Sequence, residues 1–374
     1  MIDLTAFRRD LHAHPEIGFD LTRTPDRITA ALESTGLKVT RGLGGSGLVA
    51  TLNRGPDETA IGFRADMDAL PIEEANDLPW RSVTKGKFHG CGHDGHSTML
   101  LGAALKLAAD PTLKRTIHFI FQPDEENGNG AKAMIRDGLF ERFPMTAIYG
   151  LHNMPGMAPG HFATQPGPFC AFEDNFEIRI QGKGGHASMP DKGVDPIVTA
   201  SAIVLQLQSV VSRSLPASEH GVVSVTEFLT DGARNILPGN VTLRGDCRGF
   251  SDAVSTTIEQ RMRAIVEGVC IAQGAQGAVD YSTSFRPLVN DATATQRIAN
   301  AARTIGTLND SFGRVGFSED FAEFLKHRPG AFILMGNGLE GNHAMPLHNP
   351  SYDFNDAAIA HGVDFWVKLA LPDM

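Results

Sequence analysis

Cysteine, aromatic side chains and positive charge are all in short supply in this 374-residue chain, and each shortage removes a class of protein. The cysteines, Cys91, Cys170, Cys247 and Cys270, are few and widely spaced, so a disulfide framework is not expected and a reducing compartment, the cytoplasm, is. Lys and Arg number 33 against 43 Asp and Glu, a formal net charge of -10, and aromatic residues make up 7%. Binding a phosphate backbone calls for a basic patch with interleaved aromatics, so no nucleic-acid partner is expected. No segment approaches ~18 consecutive apolar residues, and the opening MIDLTAFRRDLHAHPE has no apolar signal core, so neither membrane spanning nor secretion is expected. What the chain does have is 42% hydrophobic residues over a length beyond the usual single domain. That composition can fill two cores.

Strand and helix patterns alternate in the first part of the chain. TAIGFRA (59–65) is an apolar run ending at Asp66 and Asp68, RTIHFIF (115–121) is a β-branched run ending at QPDEE, and TAIYG (146–150) ends at Leu151 and His152. Between the first two, STMLLGAALKLAAD has helical spacing and stops before Pro111, which makes a βαβ unit. In open α/β sheets functional groups gather beyond the carboxyl ends of strands, and here acidic and imidazole residues follow each strand. From Phe172 the order becomes βαββαβ: AFEDNFEIRIQG, DPIVTASAIVLQLQSVVSR, GVVSVTEFL, NVTLRGDCRG, SDAVSTTIEQRMRAIVEGVCIAQG and GAVDYSTSF. That order predicts a ferredoxin-like α+β domain over 172–286, inserted into an α/β domain with a mixed sheet and flanking helices built from 1–171 and 287–374.

Chemistry-bearing residues sit at the ends of these patterns. HGCGHDGHSTMLL (89–101) offers Cys91 with His93, a thiolate and imidazole pair suited to zinc and its late first-row neighbours. Glu125 and Glu126 adjoin just after a strand, so their side chains can diverge, one carboxylate toward a metal and the other toward the proton of an attacking water. GLHN supplies His152 and PLHNP supplies His348. Alone, each is an ordinary loop residue. Four separate segments offering Cys91 with His93, Glu126, His152 and His348 together suit two metal ions with a shared ligand, as in hydrolases with paired metals.

RRDLHAHPEIGF, FRADMDALPIEE, HGCGHDGHSTMLLGAA, FQPDEENGNGAKAMI, GLHNMPG, GKGGHASMP, NILPGN and LHNPSYDFND, in this order, resemble the M20 metallopeptidase family over nearly the whole chain. Within that family they resemble the amidohydrolase branch of hippurate hydrolases, N-acyl-amino-acid amidohydrolases and indole-acetyl-amino-acid hydrolases. The resemblance implies that Cys91, His93, Glu126, His152 and His348 hold two divalent metal ions per subunit (zinc, manganese, cobalt or nickel). It further implies that Glu125 is the general acid/base and that Asp68 orients a metal ligand. His186 in GKGGHASMP would stabilise the tetrahedral oxyanion, and the inserted domain would act as a lid and join the chain into a homodimer or higher homo-oligomer. Asn235 and Arg248 resemble anchors for the substrate carboxylate, although Arg248 equally reads as a surface arginine closing a strand. Asn240 reads as a turn residue after Pro238-Gly239. The expected activity is hydrolysis of a small N-acyl amino acid. A dipeptidase, an N-acetyl-diaminopimelate deacetylase and a non-catalytic metal-binding relative remain as alternatives.

Overall fold

The computed structural model describes residues 2–56 and 60–371. The chain divides into two compact units, one of residues 1–169, 289–313 and 320–374, the other of 170–288 and 314–319. The segment 314–319 joins the smaller unit because the Ala171 amide donates to the carbonyls of Val315 (3.1 Å) and Phe317 (3.0 Å).

The larger unit is built on an eight-stranded mixed sheet. Its first six strands in chain order are β1 (Lys38–Leu43), β2 (Gly47–Leu52), β3 (Ile61–Asp66), β4 (Ile117–Gln122), β5 (Ala147–Pro155) and β6 (His161–Ala163), and Thr307–Asn309 and Gly330–Gly338 complete it. The spatial order is β1, β2, β4, β3, β5, Gly330–Gly338, β6, Thr307–Asn309. The central strands β4, β3, β5 and Gly330–Gly338 run parallel, and β3, β4 and Gly330–Gly338 are buried at every residue. Strands covered on both faces cannot alternate polar with apolar, which is why these segments read as continuous apolar runs. The expected strand 59–65 appears as β3; its first residue, Thr59, lies outside the described residues.

The first helices of this unit are α1 (Leu4–Ala13), α2 (Arg23–Leu32) and α3 (His93–Ala108). α3 is the crossover between β3 and β4 and is buried on nearly all sides, with the C-terminal helix Ala358–Ala370 packed along it. It starts four residues before the apolar run that announces it, so His93 and His96 lie in its first turn rather than in a loop. The strand β5 likewise extends past Gly150, so His152 stands within it.

The smaller unit is a four-stranded antiparallel sheet with the order Gly221–Thr230, Asn240–Gly249, Phe172–Gln181, Gln276–Phe285. Numbered along the chain this is 2-3-1-4, the ferredoxin-like arrangement. Burial alternates along Phe172–Gln181, and the inward residues Phe172, Phe176, Ile178 and Ile180 meet the apolar stripes of helices Pro196–Ser209 and Asp252–Gln273.

Candidate metal centre

Four chain segments bring the donor atoms together: the turn before α3, the turn after β4, the end of β5 and the loop after Gly330–Gly338 that carries His348. The first of these turns depends on Gly92. Its φ is +90°, and a Cβ there would meet Asn153 Nδ2 at 2.4 Å and Tyr352 Oη at 2.5 Å, so only glycine lets the Cys91 backbone press against these groups. Asn153 Nδ2 donates to the Cys91 carbonyl at 2.6 Å, and Tyr352 Oη donates to Asn153 Oδ1 at 2.7 Å. These bonds fix the loop that carries Cys91 and His93.

Around this anchor the donor atoms converge. Cys91 Sγ lies 3.4 Å from His152 Nε2, His93 Nε2 lies 3.7 Å from Glu126 Oε1, and His348 Nε2 lies 3.4 Å from Glu126 Oε2. Two groups share Cys91: Cys91, His93 and His152, and Cys91, Glu126 and His348, with ligand atoms within 4.8 Å of one another in each. Glu125 joins His93 and Glu126 in a third such group. His348 adopts φ +66°, and Asp124, just before the paired glutamates, φ +50°; both are left-handed conformations that an L residue holds at a cost of about 1 kcal/mol or more.

Asp68 stands between two of these turns. Its Oδ1 lies 3.5 Å from His93 Nδ1 and accepts the Glu125 amide at 3.0 Å, while Oδ2 accepts the Glu126 amide at 3.2 Å. One carboxylate therefore ties the α3 turn to the glutamate turn. The Asp320 amide approaches Glu125 Oε1 at 3.4 Å.

The sequence reading missed His96. The Asn153 amide donates to its Nε2 at 3.0 Å, which makes that nitrogen the acceptor, so the ring proton sits on Nδ1, 2.6 Å from Asp66 Oδ1. Both ring nitrogens are thereby engaged, and His96 is a support rather than a ligand. Asp66 in turn accepts from Arg64 Nη1 at 2.7 Å, and Arg64 Nη2 donates to Asp320 at 2.9 Å. The signals were present: His96 is three residues beyond His93 on one helix, and Asp66 closes a strand two residues before Asp68.

Electrostatics at the centre call for a cation. Burial, followed by repulsion from Glu126, Glu125 and Asp66, pushes the Cys91 thiol well above its ordinary range. Burial raises Glu126 to about 7 despite the attraction of His93. Burial opposes charge on His93, but Asp66, Asp68 and Glu126 outweigh it and lift the ring to about 10. Among the described residues, His93 Nε2 and Glu126 Oε1 are buried with no hydrogen-bond partner. Buried polar atoms are ordinarily satisfied, and a thiol, imidazoles and a carboxylate form a ligand set for divalent transition metals, so the residues fit the metals expected of them.

The other residues expected to act on substrate, His186, Asn235 and Arg248, lie in the smaller unit. His186 is exposed on the two-residue strand Gly185–His186, paired with Ile236–Leu237, and the Ala187 amide donates to the Asn235 carbonyl at 3.2 Å, which makes His186 and Asn235 neighbours. Arg248 is engaged at each side: Nη2 lies 2.7 Å from Glu173 Oε2, Nε 2.9 Å from Asp246 Oδ1, and Nη1 2.7 Å from Ser318 Oγ. Asn240 Nδ2 donates to Asp231 Oδ2 at 2.9 Å beside the turn.

A model of peptidase family M20/M25/M40 matches residues 62–371. The chain is 35% identical to the hippurate hydrolase of Campylobacter jejuni over 367 residues, covering 97% of this chain and 94% of that one. It is 34% identical to the N-acyl-L-amino acid amidohydrolase of Geobacillus stearothermophilus, covering 94% and 96%. Among solved structures it is similar to the Bacillus subtilis YXEP protein, a dinuclear metal binding peptidase from the M20 family, with a TM-score of 0.86 at 31% identity, covering 98% of this chain and 96% of that one.

Proposed function

This chain belongs to peptidase family M20/M25/M40, and from that membership we propose that it is a metal-dependent amidohydrolase that cleaves an N-acyl amino acid into a carboxylic acid and a free amino acid. The observation that carries the reading is the convergence of Cys91, His93, Glu126, His152 and His348, with buried atoms left unpaired on His93 and Glu126, beside the carboxylate of Glu125. Hippurate and N-acyl-L-amino acids are the substrates to which the names of these relatives point.

Cys91, His93, Glu126, His152 and His348 would hold two divalent cations, zinc, manganese, cobalt or nickel. When bound, these would polarise the scissile carbonyl and acidify the attacking water. Glu125 takes the proton of that water as its oxygen attacks the carbonyl carbon, and returns it to the amine nitrogen as the C–N bond breaks. His186 donates a hydrogen bond to the oxyanion formed in between. Asn235 and Arg248 are assigned to the substrate carboxylate, for Arg248 in exchange with Glu173 and Asp246.

We also assign the smaller unit to homo-oligomerisation, as a dimer or larger. Helix residues Val198 and Leu205 and strand residues Val222, Phe228 and Leu229 are exposed, and Gly221–Thr230 is an edge strand with unpaired backbone. The stretch Pro196–Ser214 is long and apolar enough to cross a membrane, with a mean hydropathy of 1.2, yet its Ala200, Ile203, Leu207 and Val210 lie in this unit's core. Among the described residues the cysteines form no disulfide, which suits the cytoplasm. The test is release of acid from N-acetyl and N-benzoyl amino acids, and from dipeptides, by metal-reconstituted protein. Release from the acyl amino acids that stops on chelation is expected; no release from any of them overturns the reading.

A further inference from the structure

Among the described residues the His186 ring is held at Nδ1. The Ser188 amide donates to its Nδ1 at 3.2 Å, and Ser188 Oγ lies 2.8 Å from the same nitrogen. The Met189 amide donates to the His186 carbonyl at 2.9 Å, closing a tight turn that brings residue 188 back onto the ring. A neutral imidazole has one donor nitrogen and one acceptor nitrogen. A backbone N–H can only donate, so Nδ1 is the acceptor, the Ser188 hydroxyl also donates to it, and the ring proton resides on Nε2. A proton on Nδ1 would face the Ser188 N–H head-on.

We propose that Ser188 is a positioning residue that holds His186 in the Nε2–H tautomer, so that the exposed ring presents a donor rather than a lone pair. The inference rests on the reading of His186 as the hydrogen-bond donor to the oxyanion. An oxyanion is stabilised by a donor placed in advance, whereas in the other tautomer Nε2 would present its lone pair to a developing negative charge. Ser188 acts through the ring and touches no reacting atom. The pattern His-x-Ser within GKGGHASMP thus acquires a role for its third residue as well as its first.

The tautomer is readable directly. In protein labelled with 15N-histidine, long-range proton–nitrogen correlation separates an imine-type Nδ1 from a protonated one, and the spectrum of His186→Ala protein identifies the signals of residue 186. Wild type should show a protonated Nε2. Ser188→Ala keeps the backbone donor but loses the hydroxyl. It should raise the ratio of the Nδ1–H to the Nε2–H tautomer about fivefold, the scale of one neutral hydrogen bond, and lower kcat in proportion to the Nε2–H population lost, at unchanged KM. Ser188→Thr should restore both. A protonated Nδ1 in the wild type, or a Ser188→Ala protein with unchanged tautomer and unchanged kcat, overturns the inference. Full turnover by His186→Ala protein overturns its catalytic half and points to the reading of His186 as the error, because the tautomer is measured independently.

Discussion

Replacing His12 by glutamine should turn a pH-dependent part of the stability into a pH-independent one. His12 lies fully buried in α1, with Nδ1 2.9 Å from Asp94 Oδ2 and Nε2 3.2 Å from Glu74 Oε1. Arg8 from the same helix faces Asp94 and Asp353 at 3.4 and 3.2 Å, and the His89 ring stands 6.3 Å from that of His12. Burial works against a charge on His12, but Asp94 and Glu74 prevail and raise it from 6.5 to about 9. A base whose pKa is higher folded than unfolded stabilises the fold fully below pH 6.5, and this contribution disappears as the pH rises through about 9. The difference corresponds to about 3 kcal/mol. Glutamine can bond to both carboxylates without titrating. The assay is urea unfolding of both proteins in steps from about pH 6 to 10, followed by far-ultraviolet circular dichroism. The stability advantage of wild type over His12→Gln should shrink by about 3 kcal/mol across that range. Parallel pH curves would refute a charged His12.

Other perturbations address the centre itself. Cys91→Ser should weaken metal retention far more than Cys170→Ser or Cys270→Ser, measured as metal content after dialysis, because only Cys91 lies among the other donors; equal loss in all three would sink the ligand assignment. Glu125→Gln should keep its metal while kcat falls by roughly a hundredfold or more, the scale of a general base, and normal turnover would remove Glu125 from the chemistry. Mixing inactive His186→Ala with inactive Glu125→Gln protein under proven subunit exchange should restore activity if His186 serves a partner's site. No recovery would assign it to its own chain.

Much of this arrangement is written locally. The strands β3 and β4 are legible because burial on both faces makes them continuous apolar runs, and Phe172–Gln181 because one covered face imposes alternation. Acidic and imidazole residues at strand ends then mark the edge where Asp68, Glu125, Glu126 and His152 meet. The start of α3 is not legible, because its cap is Gly92 in a left-handed conformation with no side-chain cap, and polar residues mask the period of its first turn. Nor are the partners of His96 and Arg248. Asn153 is 57 residues from His96, and Ser318 is 70 from Arg248. No local period records such pairings, which arise only when separate strands and turns are brought together.

Backbone strain in the larger unit is concentrated, and its location is itself an argument. Asp124 and His348, the non-glycine residues with positive φ among the described residues, flank or belong to the donor cluster. Behind that cluster the polar groups bind one another. Arg64 bonds to Gln122 at 2.7 Å, to Asp66 at 2.7 Å and to Asp320 at 2.9 Å, and Asn153 fastens the Cys91 carbonyl to the same frame. Within the cluster, the facing atoms His93 Nε2 and Glu126 Oε1 have no hydrogen-bond partner among the described residues. Strain scattered through a fold would signal poor packing, whereas strain gathered around unpaired facing atoms, on a frame that is itself bonded, signals a site shaped for something it binds. A cation meeting those atoms would relieve the crowding of carboxylates, and in the proposed mechanism Glu125 would then stand beside the ligands as the group that carries the proton.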